Sequence, residues 1–178
     1  MASLPVNTPL ERHSALSLKY DMSIPRQVWS RIDGMLEERA PHRRRGYPRA
    51  GAFDRLGILA FAESGVGHLA MRFWLPGPRL VLTRETRVVG SLNSLLPMDM
   101  GQAANALVLA TWRGEPGTLK YGPRNPNFAR AEQGVFLEAL HEDLCRVGIA
   151  NHLQGGLELD AVPVRLPLDW EEPLGLLA

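Results

Sequence analysis

The sequence predicts an α+β domain: a mainly antiparallel sheet, made of a meander, a hairpin and an edge strand, packed by two amphipathic helices. Three observations predict it. Two segments carry apolar residues at helical spacing, Ile24 to Leu36 and Phe136 to Val147. Between them, short runs with strand patterning follow one another over 56–113, separated by glycine- and proline-containing turns. No repeat of fixed period and no linker divides the 178 residues, so they are read as one domain, 1–178.

Residues 1–22, with Pro5 and Pro9 and no period, read as an extended arm with a strand at Ala15–Tyr20. Ser23 is placed to cap a helix that carries Pro25 in its first turn, where a missing N–H costs little. Ile24, Val28, Ile32, Met35 and Leu36 share one side of it and Trp29 borders them, so the helix should dock on a sheet and run to Arg39. Gly34 weakens it by up to about 1 kcal/mol relative to Ala. The stretch Pro41–Arg49 breaks the helix as a basic loop.

Leu56–Glu63 is apolar on both parities, which places it at the centre of the sheet. Ser64 to Gly67 is a hairpin connection. In the next strand, His68–Leu75, the residues Leu69, Met71, Phe73 and Leu75 face one way and His68, Arg72 and Trp74 the other. Pro76-Gly77-Pro78 turns the chain into Arg79–Val89, completing the meander. Gly90–Asn105 reads as a loop with a short helical turn. Ala106–Arg113 is again a strand, and Thr118–Tyr121 is expected to pair back on it. Asn125 caps the second helix, Pro126 opens it and Gly148 stops it. Its buried face is Phe136, Leu140, Leu144 and Val147, with Leu137 at the margin. Leu157–Leu166, interrupted by Pro163, reads as an edge strand, and 167–178 as a tail.

Composition narrows the setting. Twenty Lys and Arg oppose 19 Asp and Glu, so the overall field is weak, and all cations but Lys19 and Lys120 are arginine, as a GC-rich bacterial genome would give. One cysteine, Cys145, excludes an intrachain disulfide and fits a reducing cytoplasm. No apolar run reaches the ~18 residues of a membrane span, and no secretory signal is read in the first residues.

Three groups of residues could carry function. The first is the loop 39–55, with six arginines against Asp54; Arg43, Arg44, Arg45 and Arg49 could bind phosphate and Tyr47 could stack on a base. Arg72 and an exposed Trp74 beside His68 would extend that surface as a platform for nucleic acid. A pI near 8.0 is low for a dedicated nucleic-acid binder. The acidic end, Glu158, Asp160, Asp169, Glu171 and Glu172 against Arg165, could occupy the same loop.

The second group is Glu138, His141 and Cys145 on one side of the last helix, with His152 beyond it. These are metal donors, and Cys145 with His141 could also be a nucleophilic pair, although a helix C-terminus disfavours a thiolate. The third is apolar: Leu92, Leu95, Leu96, Met98 and Met100 in the irregular stretch, and Trp170, Leu174, Leu176 and Leu177 near the C-terminus, read as a docking surface.

No P-loop, G-x-S-x-G elbow or H-E-x-x-H occurs, and no cofactor is expected. The leading reading is a non-catalytic accessory or adaptor protein that binds a protein partner and forms a homo-oligomer. The alternatives are a nucleic-acid binder using the arginine loop, and a small-molecule or metal-dependent enzyme using His68, His141, Cys145 and His152.

Overall fold

The computed structural model describes residues 22–37, 46–47, 56–76, 81–96, 104–113, 117–154 and 170–178. The arm and its strand at 15–20, nearly all of the arginine loop, and the expected strand over 157–166 lie outside the described residues. What is described is an antiparallel six-stranded sheet packed with helices, the α+β class expected.

The chain runs α1 (Ser23–Leu36), β1 (Leu56–Glu63), β2 (His68–Pro76), β3 (Val81–Val89), α2 (Leu92–Leu95), β4 (Ala106–Arg113), α3 (Thr118–Tyr121), a 3₁₀ turn over Gly122–Arg124, α4 (Asn125–Arg146), β5 (His152–Gln154) and β6 (Trp170–Leu177). The sheet order is β3-β2-β1-β4-β6-β5. β1 is central as its double apolar parity requires: residues 56–62 are all buried, and the strand pairs with β2 through Leu59↔Phe73 and with β4 through Leu59↔Leu109.

Both faces of the central strands are therefore covered. On one, Ile58, Ala60, Ala62, Val108, Ala110 and Trp112 meet Val28, Trp29, Ile32 and Leu36 of α1 and Phe136, Leu140 and Leu144 of α4. The alanines leave room for the helices to approach. On the other face lie Leu59, Phe61, Leu69, Met71, Leu107, Leu109 and Leu177, against Leu92, Leu95 and Leu96. α2 is pinned there by Glu63, whose carboxylate accepts from the Leu92 N–H at 2.7 Å, where a helix start favours negative charge.

Several local expectations are corrected. Ser23 is the first residue of α1 rather than its cap; Met22 stands at the N-cap and offers no side-chain cap bond. The helix ends at Leu36, because Glu37 is already extended (φ −66°, ψ 131°). Thr118–Tyr121 is a helical turn and not a returning strand. Gly117 at φ +90° swings the chain away from β4, and the 3₁₀ turn leads directly into α4. For the same reason Asn125 is inside α4 and buried; its amide donates to Thr118 Oγ1 at 3.3 Å. Val147, assigned to the buried face, is more than a third exposed at the C-cap.

The largest correction concerns the C-terminal tail. Residues Trp170–Leu177 form β6, an interior strand between β4 and β5. Pro173 sits where the register slips: Trp112 faces Glu171 and Ala110 faces Leu174, so Glu172 and Pro173 together oppose Thr111. A bulge tolerates a residue without an N–H, so Pro173 is compatible with the strand.

Gly148 ends α4 as expected. Its φ is +79°, and the Gly148 and Ile149 N–H groups donate to the Cys145 and Leu144 carbonyls at 3.1 and 3.0 Å, a Schellman closure. Ile149 then buries in the core that holds Leu144. No atom lies within 4 Å of a Cβ built at Gly148, so Gly148→Ala strains the backbone without a clash. We expect a loss of about 1 kcal/mol, read as a lower urea midpoint with unchanged m-value.

Candidate functional site

The expected aromatic platform for nucleic acid is not at the surface. Trp74 does share a face with Arg72, but that face lies under α1, and Trp74 is fully buried. Its indole Nε1–H donates to Asp33 Oδ1 at 2.7 Å, and Arg72 Nη2 donates to both Asp33 oxygens at 3.3 and 3.0 Å. The Arg72 guanidinium carbon lies 5.1 Å from the Trp74 ring centre and 6.0 Å from that of Trp29. Asp33, Arg72 and the two indoles thus tie the middle of α1 to β2. Arginine at this place is structural.

Tyr47 is likewise unavailable for stacking. It is buried with its ring edge-on to Phe136, centroids 5.2 Å apart, because the Gly46 N–H donates to the Met35 carbonyl at 2.8 Å and lays this stretch on α1. A Cβ on Gly46 would stand 2.9 Å from the Met35 Cα, so only glycine fits this approach. Arg43, Arg44, Arg45 and Arg49 lie outside the described residues.

The docking surface expected from Leu92, Leu95 and Leu96 is also corrected. All three are buried against the second face of the sheet, since β1 and β2 present an apolar row there that needs cover. Met98 and Met100 lie outside the described residues. Trp170 begins β6, while Leu174 is 36% exposed on the α4-facing side of that strand. Leu153 of β5, opposite Leu176 and diagonal to Leu174, is 49% exposed.

A different apolar surface stands clear of the core. Leu119, in α3, is fully exposed. Beside it in sequence, Tyr121 packs against Phe128 of α4 with ring centroids 4.5 Å apart, and Phe128 is 37% exposed. The Lys120 ammonium lies 5.3 Å from the Tyr121 ring centre. From Gly117 to Ala131 the chain carries Lys120, Arg124 and Arg130 and no acid. Leu119 and the Tyr121–Phe128 pair thus both stand along the tight passage from α3 through the 3₁₀ turn into α4, a segment we term the lip. Sequence reasoning missed it because it took Thr118–Tyr121 for a strand; the Gly117 and Gly122-Pro123 breaks on either side were the available signal.

The proposed metal stripe does not close into a metal site. Among the described residues no group of three or more His, Cys, Asp or Glu side chains could hold an ion. His68 contacts the Val66 carbonyl of its own hairpin through Nδ1 at 3.0 Å. His141 turns instead to Asn151, with Nδ1 and Oδ1 2.7 Å apart, and its Nε2 stands 3.9 Å from Cys145 Sγ. The exposed Glu138 and His152 complete no such group. Asn151, a residue the sequence reading passed over, is what organises this corner.

A groove of about 460 Å³ opens between α1 and α4, lined among others by Arg31, Gly34, Glu142, Asp143 and Arg146. Its charges pair internally: Arg31 with Asp143 at 3.5 Å, and Arg146 with Glu142 at 2.9 Å and Asp143 at 3.8 Å. Two cations against two acids leave this wall with little net field for a charged ligand.

No protein-family model matches the chain, and no curated protein does. Among solved structures, a chain of the E. coli microcin synthetase McbBCD complex, solved with truncated pro-MccB17 bound, is similar in fold. Its TM-score is 0.66 at 16% identity, over 99% of this chain and 74% of that one. At that identity the likeness is one of fold. Among the described residues no helix is long and apolar enough to cross a membrane.

The Asp33 tie makes a specific demand on stability. Asp33→Ala leaves the buried Trp74 N–H unpaired and should cost about 1–3 kcal/mol, seen in urea denaturation. Asp33→Asn keeps an acceptor for the indole while losing the ion pair, and should cost less.

Proposed function

We propose that this chain is a non-catalytic accessory protein that binds a protein partner and self-associates. The observation that carries the reading is the lip at the α3–α4 passage, where Leu119 is fully exposed and Phe128, paired with Tyr121, is 37% exposed. The occupant we assign to it is a protein segment combining apolar and acidic side chains. The exposed Arg124 favours an acidic approach, and the aromatic pair offers a rigid apolar anchor. That this fold also serves in a chain of a multi-protein synthetase complex supports the reading.

Self-association is assigned to the β5 edge of the sheet, where Leu153 is 49% exposed with Leu174 of the neighbouring β6 diagonal to it. The single cysteine and the arginine-rich composition go with a bacterial cytoplasm. The aromatic half of a nucleic-acid surface is lost with the burial of Tyr47 and Trp74, so that alternative is not taken further.

Two measurements test this. Panning a displayed peptide library against the purified chain should enrich sequences that combine Asp or Glu with Leu or Phe, and a Leu119→Ser/Phe128→Ser variant of unchanged circular dichroism should lose that enrichment by at least about tenfold, the equivalent of roughly 1.4 kcal/mol. No sequence preference, or one indifferent to the variant, overturns the lip as a binding surface. Light scattering should give a mass of at least two chains for the wild type and of one chain for Leu153→Asp. A monomer at every concentration overturns self-association.

A further inference from the structure

The corner where α4 meets the chain leading to β5 holds three side chains that the accessory role leaves unused. His141 and Cys145 are four residues apart on α4 and so stand on one side of it. The Schellman closure at Gly148 reverses the chain and brings Asn151 back over this last turn. Its Nδ2 donates to the Ile149 carbonyl at 2.9 Å, which fixes the amide orientation, and the same Nδ2 lies 3.6 Å from Cys145 Sγ. Oδ1 is therefore the atom that meets His141 Nδ1 at 2.7 Å. An amide oxygen only accepts, so Nδ1 carries the proton of the neutral ring. The lone pair is then on Nε2, 3.9 Å from the sulfur, and the sulfur is exposed.

A thiol, a bare imidazole nitrogen directed at it and an amide that holds the ring are the parts of an activated sulfur nucleophile. We propose that Cys145 is a covalent modification site that takes up low-molecular-weight disulfides by thiol–disulfide exchange. His141 Nε2 accepts the Cys145 proton as Sγ attacks one sulfur of the disulfide. The old S–S bond breaks, the new one forms on Sγ, and the departing thiolate takes the proton back from the imidazolium and leaves as a thiol. Cys145 is oxidised to the mixed-disulfide level and the departing half is reduced, so the disulfide itself is the only oxidant required.

Two features favour exchange over acyl transfer or metal binding. Among the described residues the Asn151 amide is the one side-chain N–H donating to the sulfur, whereas acyl transfer calls for paired donors at an oxyanion. The chain has no second cysteine, so an adduct cannot be resolved internally and persists until an outside thiol removes it. A base that takes the proton during attack makes a standing thiolate unnecessary. Along α4 the charged neighbours of Cys145 in sequence are Glu138, Glu142, Asp143 and Arg146, and Asp143 is paired with Arg31 at 3.5 Å and with Arg146 at 3.8 Å. Arg146 is held by Glu142 at 2.9 Å.

The test is the second-order rate with the neutral probe 2,2′-dithiodipyridine from pH 5 to 9, with Cys145→Ser as blank. The wild type should outpace an unstructured cysteine peptide at neutral pH. His141→Gln should lose about tenfold in rate there, whereas Asn151→Ala, which keeps the imidazole but frees it to turn, should lose roughly threefold. Glutathione disulfide should add one glutathionyl group to the wild type by mass and none to Cys145→Ser. Equal rates for wild type and His141→Gln across the range, with both melting alike, overturn the proposal. So does a wild-type rate no greater than that of the peptide. Neither result depends on the lip or on oligomeric state.

Discussion

The fold depends on β1 being apolar on both of its faces. A strand with Ile58, Ala60 and Ala62 on one side and Leu59 and Phe61 on the other cannot leave either side in water, so helices and strands must be supplied above and below it. α1 and α4 answer on one face. On the other, the apolar rows of β2 and β4 extend the surface, and the short α2 is drawn onto it and fixed by Glu63. The surfaces proposed above to carry function stand at the rim, where α3 enters α4 and where α4 gives way to β5.

Polar groups inside this frame do positional work. Asp33 serves as the acceptor for Trp74 and Arg72 at once, which fixes the rotation of α1 against the sheet. Gln133, buried in α4, donates to the Ala110 carbonyl at 2.9 Å and sets the height of that helix over β4. Directional bonds of this kind select one packing among several that would bury similar apolar area.

The helices, the meander and β4 were legible because their side chains repeat with the period of the backbone that carries them. Val28, Ile32 and Leu36 recur at helical spacing, and Leu69, Met71 and Phe73 alternate. The failures came where that link is broken. Trp74 and Arg72 alternate with the apolar row of β2 and so read as solvent-facing, but the covering helix brings its own carboxylate to meet them. Leu92, Leu95 and Leu96 show no strand period and read as exposed, yet they cover a sheet face from one short turn. β6 was read as a tail, because local sequence does not show that a strand can continue through a bulge opposite Thr111. The thiol corner was half legible: the i, i+4 pair is visible in the sequence, but the return of Asn151 depends on a backbone closure whose consequence is three-dimensional.

The placement of β6 bears on how the protein comes to be made. Its strand is the last of the six along the chain but lies inside the sheet, with β4 on one side and β5 on the other. During synthesis β1 to β4 can assemble as a four-stranded ribbon long before residues 170–177 emerge from the ribosome. Until they do, β4 presents a row of unpaired amides and carbonyls flanked by Leu107 and Leu109, a surface that favours strand exchange with neighbouring nascent chains. The β4 margin of the sheet is thus the vulnerable seam of biogenesis, and the segment that seals it is the last to arrive.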